Sequence, residues 1–167
     1  MIETRSGYYS PVQTVPLWAL SSIIPASAAP KMWAVRLTVP AGQSLSTVVM
    51  PFIPDSYFNG TAEVVLYETK SAGTYPIVRG ENGLSPSHLA KVGLQYPVAA
   101  RDESWRVWVA IRFIDLVGVS IPVAESGVYH SQTVADCYSS ISDELPLELF
   151  STGIWTNESR YPLIAVH

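Results

Sequence analysis

Residues 104–113 read Ser-Trp-Arg-Val-Trp-Val-Ala-Ile-Arg-Phe, and the alternation in them decides the fold class. Trp105, Val107, Val109, Ile111 and Phe113 are apolar, while Arg106, Trp108, Ala110 and Arg112 between them are mostly polar or small. Successive side chains of a strand point to opposite faces. The stretch is therefore a strand with one face in a core and a second face that presents arginines around a tryptophan.

Working outward, the same period recurs between turn signals, the pattern of a sandwich or barrel. Trp33, Val35, Leu37 and Val39 alternate with Ala34, Arg36 and Thr38, and Pro40-Ala41-Gly42-Gln43 turns the chain. Residues 45–53 form a more continuously apolar strand in which Pro51 marks a break, bulge or edge. Pro54-Asp55 and Asn59-Gly60 predict a loop with Tyr57 and Phe58 at its tip. Strands are expected at 62–68, 74–79 and 89–96, with Gly80-Glu81-Asn82-Gly83 as a turn. Val117, Val119, Ile121 and Val123 alternate again as a further strand. Residues 126–143 are polar and Ser-rich and predict a long loop, with one helical turn open around 134–141. Leu145, Leu147 and Leu149 alternate with Pro146 and Glu148, and a final strand lies near 161–166. The expectation is eight or nine strands and no helix beyond that one turn.

The first 31 residues differ. Pro11, Pro16, Pro25 and Pro30 punctuate an apolar stretch without helical period, and proline favours extended geometry in itself and its predecessor. Such an arm, carrying Tyr8, Tyr9, Leu17, Trp18, Leu20, Ile23 and Ile24, is too apolar to float. It should lie against its own domain or a neighbouring subunit. The expected organisation is an extended arm over residues 1–31 and a β-domain over 32–167.

A chain of 167 residues suits one domain with one core. Charged residues make up 14%, against a typical share of about 25%, which suggests that partners or other copies cover some surface. A net charge of −4 without any run of Lys or Arg argues against a nucleic-acid partner. A single cysteine, Cys137, allows no internal disulfide and reads as a small half-buried residue. Residues 15–29 imitate a secretion signal, but Pro16 and Pro25 interrupt the apolar run and no basic segment precedes it. The run is also too short to span a bilayer, so neither export nor membrane insertion is expected.

Several features stand in a fixed order: a Trp-initiated strand ending in Val39-Pro40-Ala41-Gly42-Gln43-Ser44-Leu45, then Val64-Val65-Leu66-Tyr67-Glu68, then Val98-Ala99-Ala100, then residues 104–110. A Pro-Leu strand and a hydrophobic terminal strand complete the order. This order resembles the small jelly-roll, galactose-binding-like domains of minor tail and receptor-binding proteins in tailed bacteriophages, over residues 31–166. The resemblance implies an all-β, single-domain, antiparallel jelly-roll sandwich. It also implies roles in adhesion, carbohydrate contact and virion assembly, and brings no catalytic residues with it.

The first candidate site is the outward face bearing Arg36, Arg106, Trp108 and Arg112. Sugars stack on aromatic faces while arginines bond their hydroxyls, and Arg and Trp are also enriched at protein interfaces. Cover by the chain's own segments is the third reading of that face, and all three stay open. The second candidate is Tyr57-Phe58, a contact tip or a tucked pair, and Trp155 shares that ambiguity. The carboxylates Asp55, Asp102-Glu103 and Asp143-Glu144 lack calcium-loop spacing and read as solvated turns. His88, His130 and His167 match no zinc spacing. No Ser sits in a nucleophile elbow. No metal, cofactor or catalytic residue is expected.

The expected function is a virion protein of the tail, baseplate or fibre region, acting in assembly and in attachment to host glycans. A capsid decoration, cement or coat protein and a carbohydrate-binding module are the alternatives. The expected partners are copies of the chain, with a trimer as the expected order, together with other virion proteins and a cell-surface carbohydrate. Tyr8, Tyr9, Leu17, Trp18, Ile23 and Ile24 would form the oligomer contact of the arm.

Overall fold

The computed structural model describes residues 12–15, 20–25, 30–85, 88–125, 137–151 and 153–167. Their regular structure is all β: β1 (Ser22–Pro25), β2 (Met32–Val39), β3 (Leu45–Pro51), β4 (Ile53–Lys70), β5 (Gly73–Gly83), β6 (Leu89–Val98), β7 (Trp105–Glu125), β8 (Cys137–Ser140), β9 (Thr156–Asn157), β10 (Arg160–Pro162) and β11 (Ala165–Val166). All pairings are antiparallel. The larger sheet runs β5-β4-β7-β2-β8-β9, with β1 and β10 also paired to β7. The smaller sheet runs β11-β3-β6.

The alternation that opens the sequence analysis explains why β7 is central. Val107, Val109, Ile111 and Phe113 point into one core with Trp33, Val35, Leu37 and Val39 of β2 and Ala62, Val64 and Leu66 of β4. Val48 and Met50 of β3, Ala90 and Val92 of β6 and Val166 of β11 complete that core from the smaller sheet. The two sheets thus enclose one apolar layer in a sandwich-like arrangement. Along one side their edges touch. A Cβ on Gly80 of β5 would lie 2.2 Å from the Gly93 carbonyl oxygen of β6, so only glycine permits this approach. The Tyr96 hydroxyl donates to the Ile77 carbonyl at 2.5 Å, and the Asn82 amide to that of Lys91 at 3.0 Å.

Several sequence expectations are corrected here. Residues 105–125 form one strand where two were expected, because β4 and β1 continue the ladder beyond Phe113. Asp115 and Gly118, both at positive φ, absorb the irregularity between its halves. Residues 80–83 lie inside β5, paired to 61–64, and the hairpin turn sits earlier, at 71–72. Cys137–Ser140 is a strand paired to β2, neither loop nor helical turn. The leucines at 145, 147 and 149 form no strand; these residues lie across the outer face of the larger sheet. Eleven strands are found among the described residues, more than the eight or nine expected, since short pairings carry no periodic signal.

The described part of the expected arm belongs to its own domain. Thr14 is buried, donates its hydroxyl to the Pro162 carbonyl at 2.6 Å, and accepts from the Ile164 amide at 2.9 Å. Val12, Val15 and Ile24 are buried, so Ile24, expected in an oligomer contact, belongs to the chain's own core. Ile23 remains exposed. Tyr8, Tyr9, Leu17 and Trp18 lie outside the described residues.

Candidate functional site

Register brings the predicted residues together. Arg36 of β2 stands opposite Trp108 of β7, and Thr38 opposite Arg106. Tyr67 of β4 flanks Trp108 from the other side. Where β4 ends and β7 begins, Arg36, Arg106 and Trp108 join Glu68, Thr69 and Trp105 around a cleft of about 360 Å³.

Trp108 is a wall of this cleft but not a free platform. It is 6% exposed. Phe150 meets it edge-on with centroids 4.8 Å apart, Tyr138 lies at 5.8 Å, and the Arg36 guanidinium sits 5.6 Å above the ring. The cover is tied down. The Leu149 amide donates to the Thr74 carbonyl at 2.9 Å, and the Glu148 carboxylate accepts from the Thr74 amide at 2.8 Å. The Tyr67 hydroxyl donates to the Pro146 carbonyl, and the Trp155 indole to the Leu149 carbonyl. Burial of Tyr67 raises its phenol pKa, which keeps it a donor. Of the three readings of this face, cover by the chain's own residues holds around Trp108, where Tyr138, Leu145, Leu149 and Phe150 gather and Trp155 serves the cover.

Trp105, half-buried and packed against the main core, also lines the cleft. The Arg101 guanidinium lies 3.7 Å from its ring centroid and grips Glu68 with two bonds of 2.6 and 3.2 Å. The Arg101 hydrogen bonds hold the Glu68 carboxyl below the usual carboxylate range. The Trp105 indole nitrogen is buried and makes no hydrogen bond. Arg106 is exposed and takes part in none of the ion pairs seen among the described residues. The Thr69 and Thr74 hydroxyls lie 3.0 Å apart.

Arg112 is not part of the cleft. It pairs with Glu63 at 3.2 Å and bonds the Asp143 carbonyl, so it ties the 141–144 connection to the sheet. Tyr57 and Phe58 stand on no loop tip: they bulge from β4 between Pro54 and Asn59, where the register with β7 shifts. Phe58 tucks beneath, 5.9 Å from Phe52, while Tyr57 is 71% exposed. Among the described residues, no three His, Cys, Asp or Glu side chains gather as a metal site would need. Asp143 pairs instead with Lys31.

A second feature combines Ile23 and Tyr57, both expected in contacts, with Ile53 and Val117, which were not. Ile23 of β1 stands beside Pro122 of β7, and Ile53 of β4 beside Ser120. These positions face away from the buried Val119, Ile121 and Val123, and Ile23 and Ile53 are 59% and 39% exposed. Val117, 50% exposed, and Tyr57 adjoin them, which makes an apolar sheet face open to solvent. Glu68, Thr69 and Arg101 were likewise missed as site residues, because only the antiparallel register of β4 and β7 brings them beside Trp105. Comparison with known proteins found no matching family model, no matching curated protein and no matching solved structure.

Proposed function

We propose that the chain is a structural component of a bacteriophage virion, in the tail, baseplate or fibre region, working through assembly and adhesion. In this reading the two sheets are a jelly roll elaborated by β1, β9 and β10. Support for the phage assignment is the order of strand motifs from Val39-Pro40-Ala41-Gly42 to the 104–110 strand. Support for the mode of action is one observation: the apolar sheet face of Ile23, Ile53, Val117 and Tyr57. Contiguous exposed apolar surface of this kind marks contact with another macromolecule.

The occupant proposed is a second copy of the chain. Among the described residues β1 pairs with β7 alone, and in this reading its other edge receives the second copy by strand addition. A strand edge paired across a two-fold axis is complementary to itself. The cleft supports adhesion over catalysis. Its lining has a single carboxylate, Glu68, engaged by Arg101, where sugar hydrolysis uses a pair.

The test is the solution mass of the purified chain by light scattering, with a variant carrying Ile23→Asp and Ile53→Asp. A discrete oligomer that becomes monomeric in the variant, with an unchanged far-UV spectrum, is the expected result. A monomeric parent chain overturns self-assembly. Copy number in purified particles separates a tail location, with few copies, from a capsid decoration protein, with many.

A further inference from the structure

We propose that the β4–β5 hairpin binds a neutral pyranose, with Tyr75 as the platform for its ring and Glu148 as the acceptor for two adjacent hydroxyls. This rests on the adhesion half of the function proposed above and names its site and ligand class.

The chain turns at residues 71–72, and Gly73 opens β5 at φ +144°. A Cβ on Gly73 would lie 3.2 Å from Cε2 of the Tyr75 ring, 3.1 Å from Glu148 Cγ and 3.2 Å from Glu148 Oε1. The ring and the carboxylate therefore converge on one point, where no side chain stands. Both are held in place. The Tyr75 hydroxyl donates to the Ala72 carbonyl at 3.3 Å, and Glu148 Oε1 accepts from the Thr74 amide at 2.8 Å. Both also keep a surface for recognition. Tyr75 is 41% exposed, and its ring meets no other ring or cation among the described residues. Glu148 Oε2 has no partner among them.

An aromatic ring beside a carboxylate with a spare oxygen suits a neutral sugar. The axial C–H groups of a pyranose give it an apolar face that packs on an aromatic ring, while its hydroxyls need acceptors. A carboxylate has lone pairs for two adjacent hydroxyls, and such charge-assisted bonds are about twice as strong as neutral ones. Charge then selects among sugars, because Glu148 repels the carboxylate of a uronic acid. An open-chain polyol offers the hydroxyls without the ring face. The site binds without cleaving, since glycoside hydrolysis uses two carboxylates. The one opposite Tyr75 in the ladder, Glu68, is gripped by Arg101.

The experiment is titration of the full chain, followed by amide NMR, with three probes: methyl β-glucopyranoside, glucuronate and sorbitol. Saturable shifts of the Gly73 and Thr74 amides are expected with the glucoside, at millimolar affinity and about tenfold tighter than with either other probe. Tyr75→Ala should weaken binding about tenfold. Tyr75→Phe keeps the ring and should stay within about threefold of the parent. Glu148→Gln keeps an acceptor for Thr74 without the charge and should weaken binding several-fold. Near-UV circular dichroism verifies that each variant is folded. Unmoved Gly73 and Thr74 amides, equal binding of sorbitol, or indifference to Tyr75→Ala each overturns the proposal. Its failure is distinguishable from that of the reading it rests on. Glucoside shifts confined to other parts of the chain remove this site and leave glycan adhesion standing, whereas silence toward every sugar removes both. The solution mass, read on the same samples, reports on assembly separately.

Discussion

From residue 107 to 111 both faces of β7 are buried, whereas from residue 117 to 122 the inward face alone is closed. The inward rule is the same in both halves: Val107, Val109 and Ile111 in one, Val119, Ile121 and Val123 in the other. The outward residues differ. Trp108 gives the first half an aromatic body, on which Tyr138, Phe150 and Leu149 gather. The second half offers Ser120 and Pro122, flanked by Ile23 and Ile53, with little volume to grip a cover. Alternation therefore reports which side of a strand meets the core. Whether the other side is covered depends on the size of its side chains and on a segment far away that can hydrogen-bond to the sheet.

The comparison breaks most visibly at Trp108. Trp108→Ala should cost about 3–5 kcal/mol in urea unfolding, as for a buried aromatic removed from a packed cluster. Ile53→Ala, on the open half, should stay within about 0.5 kcal/mol for the monomer. Equal costs would mean that the two halves are covered alike. Next comes the junction between them. Gly118 sits at φ +65°, and a Cβ there would lie 1.9 Å from the Tyr57 carbonyl oxygen. Gly118→Ala should therefore lose about 3 kcal/mol, the sum of left-handed strain and a backbone clash. A Tm within a degree of the parent's would show that the bulge at residues 55–58 shifts freely. A smaller effect tests the cover itself. Tyr67→Phe removes the bond to Pro146 and should cost about 1 kcal/mol. Amide exchange around Leu149 should quicken while that of the inward core stays slow.

How far the sequence could be read follows the same division. The strand at 104–113, its partner at 33–39 and their inward residues were legible, because a period of two over eight or more residues has one physical reading. The shared outward placement of Arg36, Arg106 and Trp108 was legible for the same reason. Arg112 shares their parity but stands four to six residues further along β7, where Glu63 claims it. Residues 145–149 misled, since alternating leucines also suit an irregular segment that drops Leu149 onto a sheet and leaves Leu147 in solvent. Glu68 and Arg101 lie 33 residues apart and meet only through the sheet register, so no local pattern announces them. The turn expected at 80–83 failed because the glycine at 80 serves the close approach of β5 to β6, a tertiary demand that overrides turn chemistry.

The finest distinction concerns the rim of the covered half, where Arg101 and Glu68 close the cleft. The Glu68 pKa is lowered in the folded chain, chiefly by its hydrogen bonds to Arg101. A carboxyl depressed on folding binds fewer protons in the native state, so its stabilisation is present above the unfolded value, near 4.5, and is lost as pH falls through the folded one. The side chains are 38% and 21% exposed, so solvent screens the pair and its contribution belongs with partly exposed ion pairs, about 0.2–1 kcal/mol. Arg101→Met keeps an apolar stem over Trp105 and removes the charge. Unfolding at pH 7 should then be easier by that small amount, and the difference between variant and parent should shrink as the pH is taken from 5 down to 3. A difference that stays constant over that interval would assign the role of Arg101 to packing on Trp105, and the rim would then be held as the interior of the covered half is, by contact and not by charge.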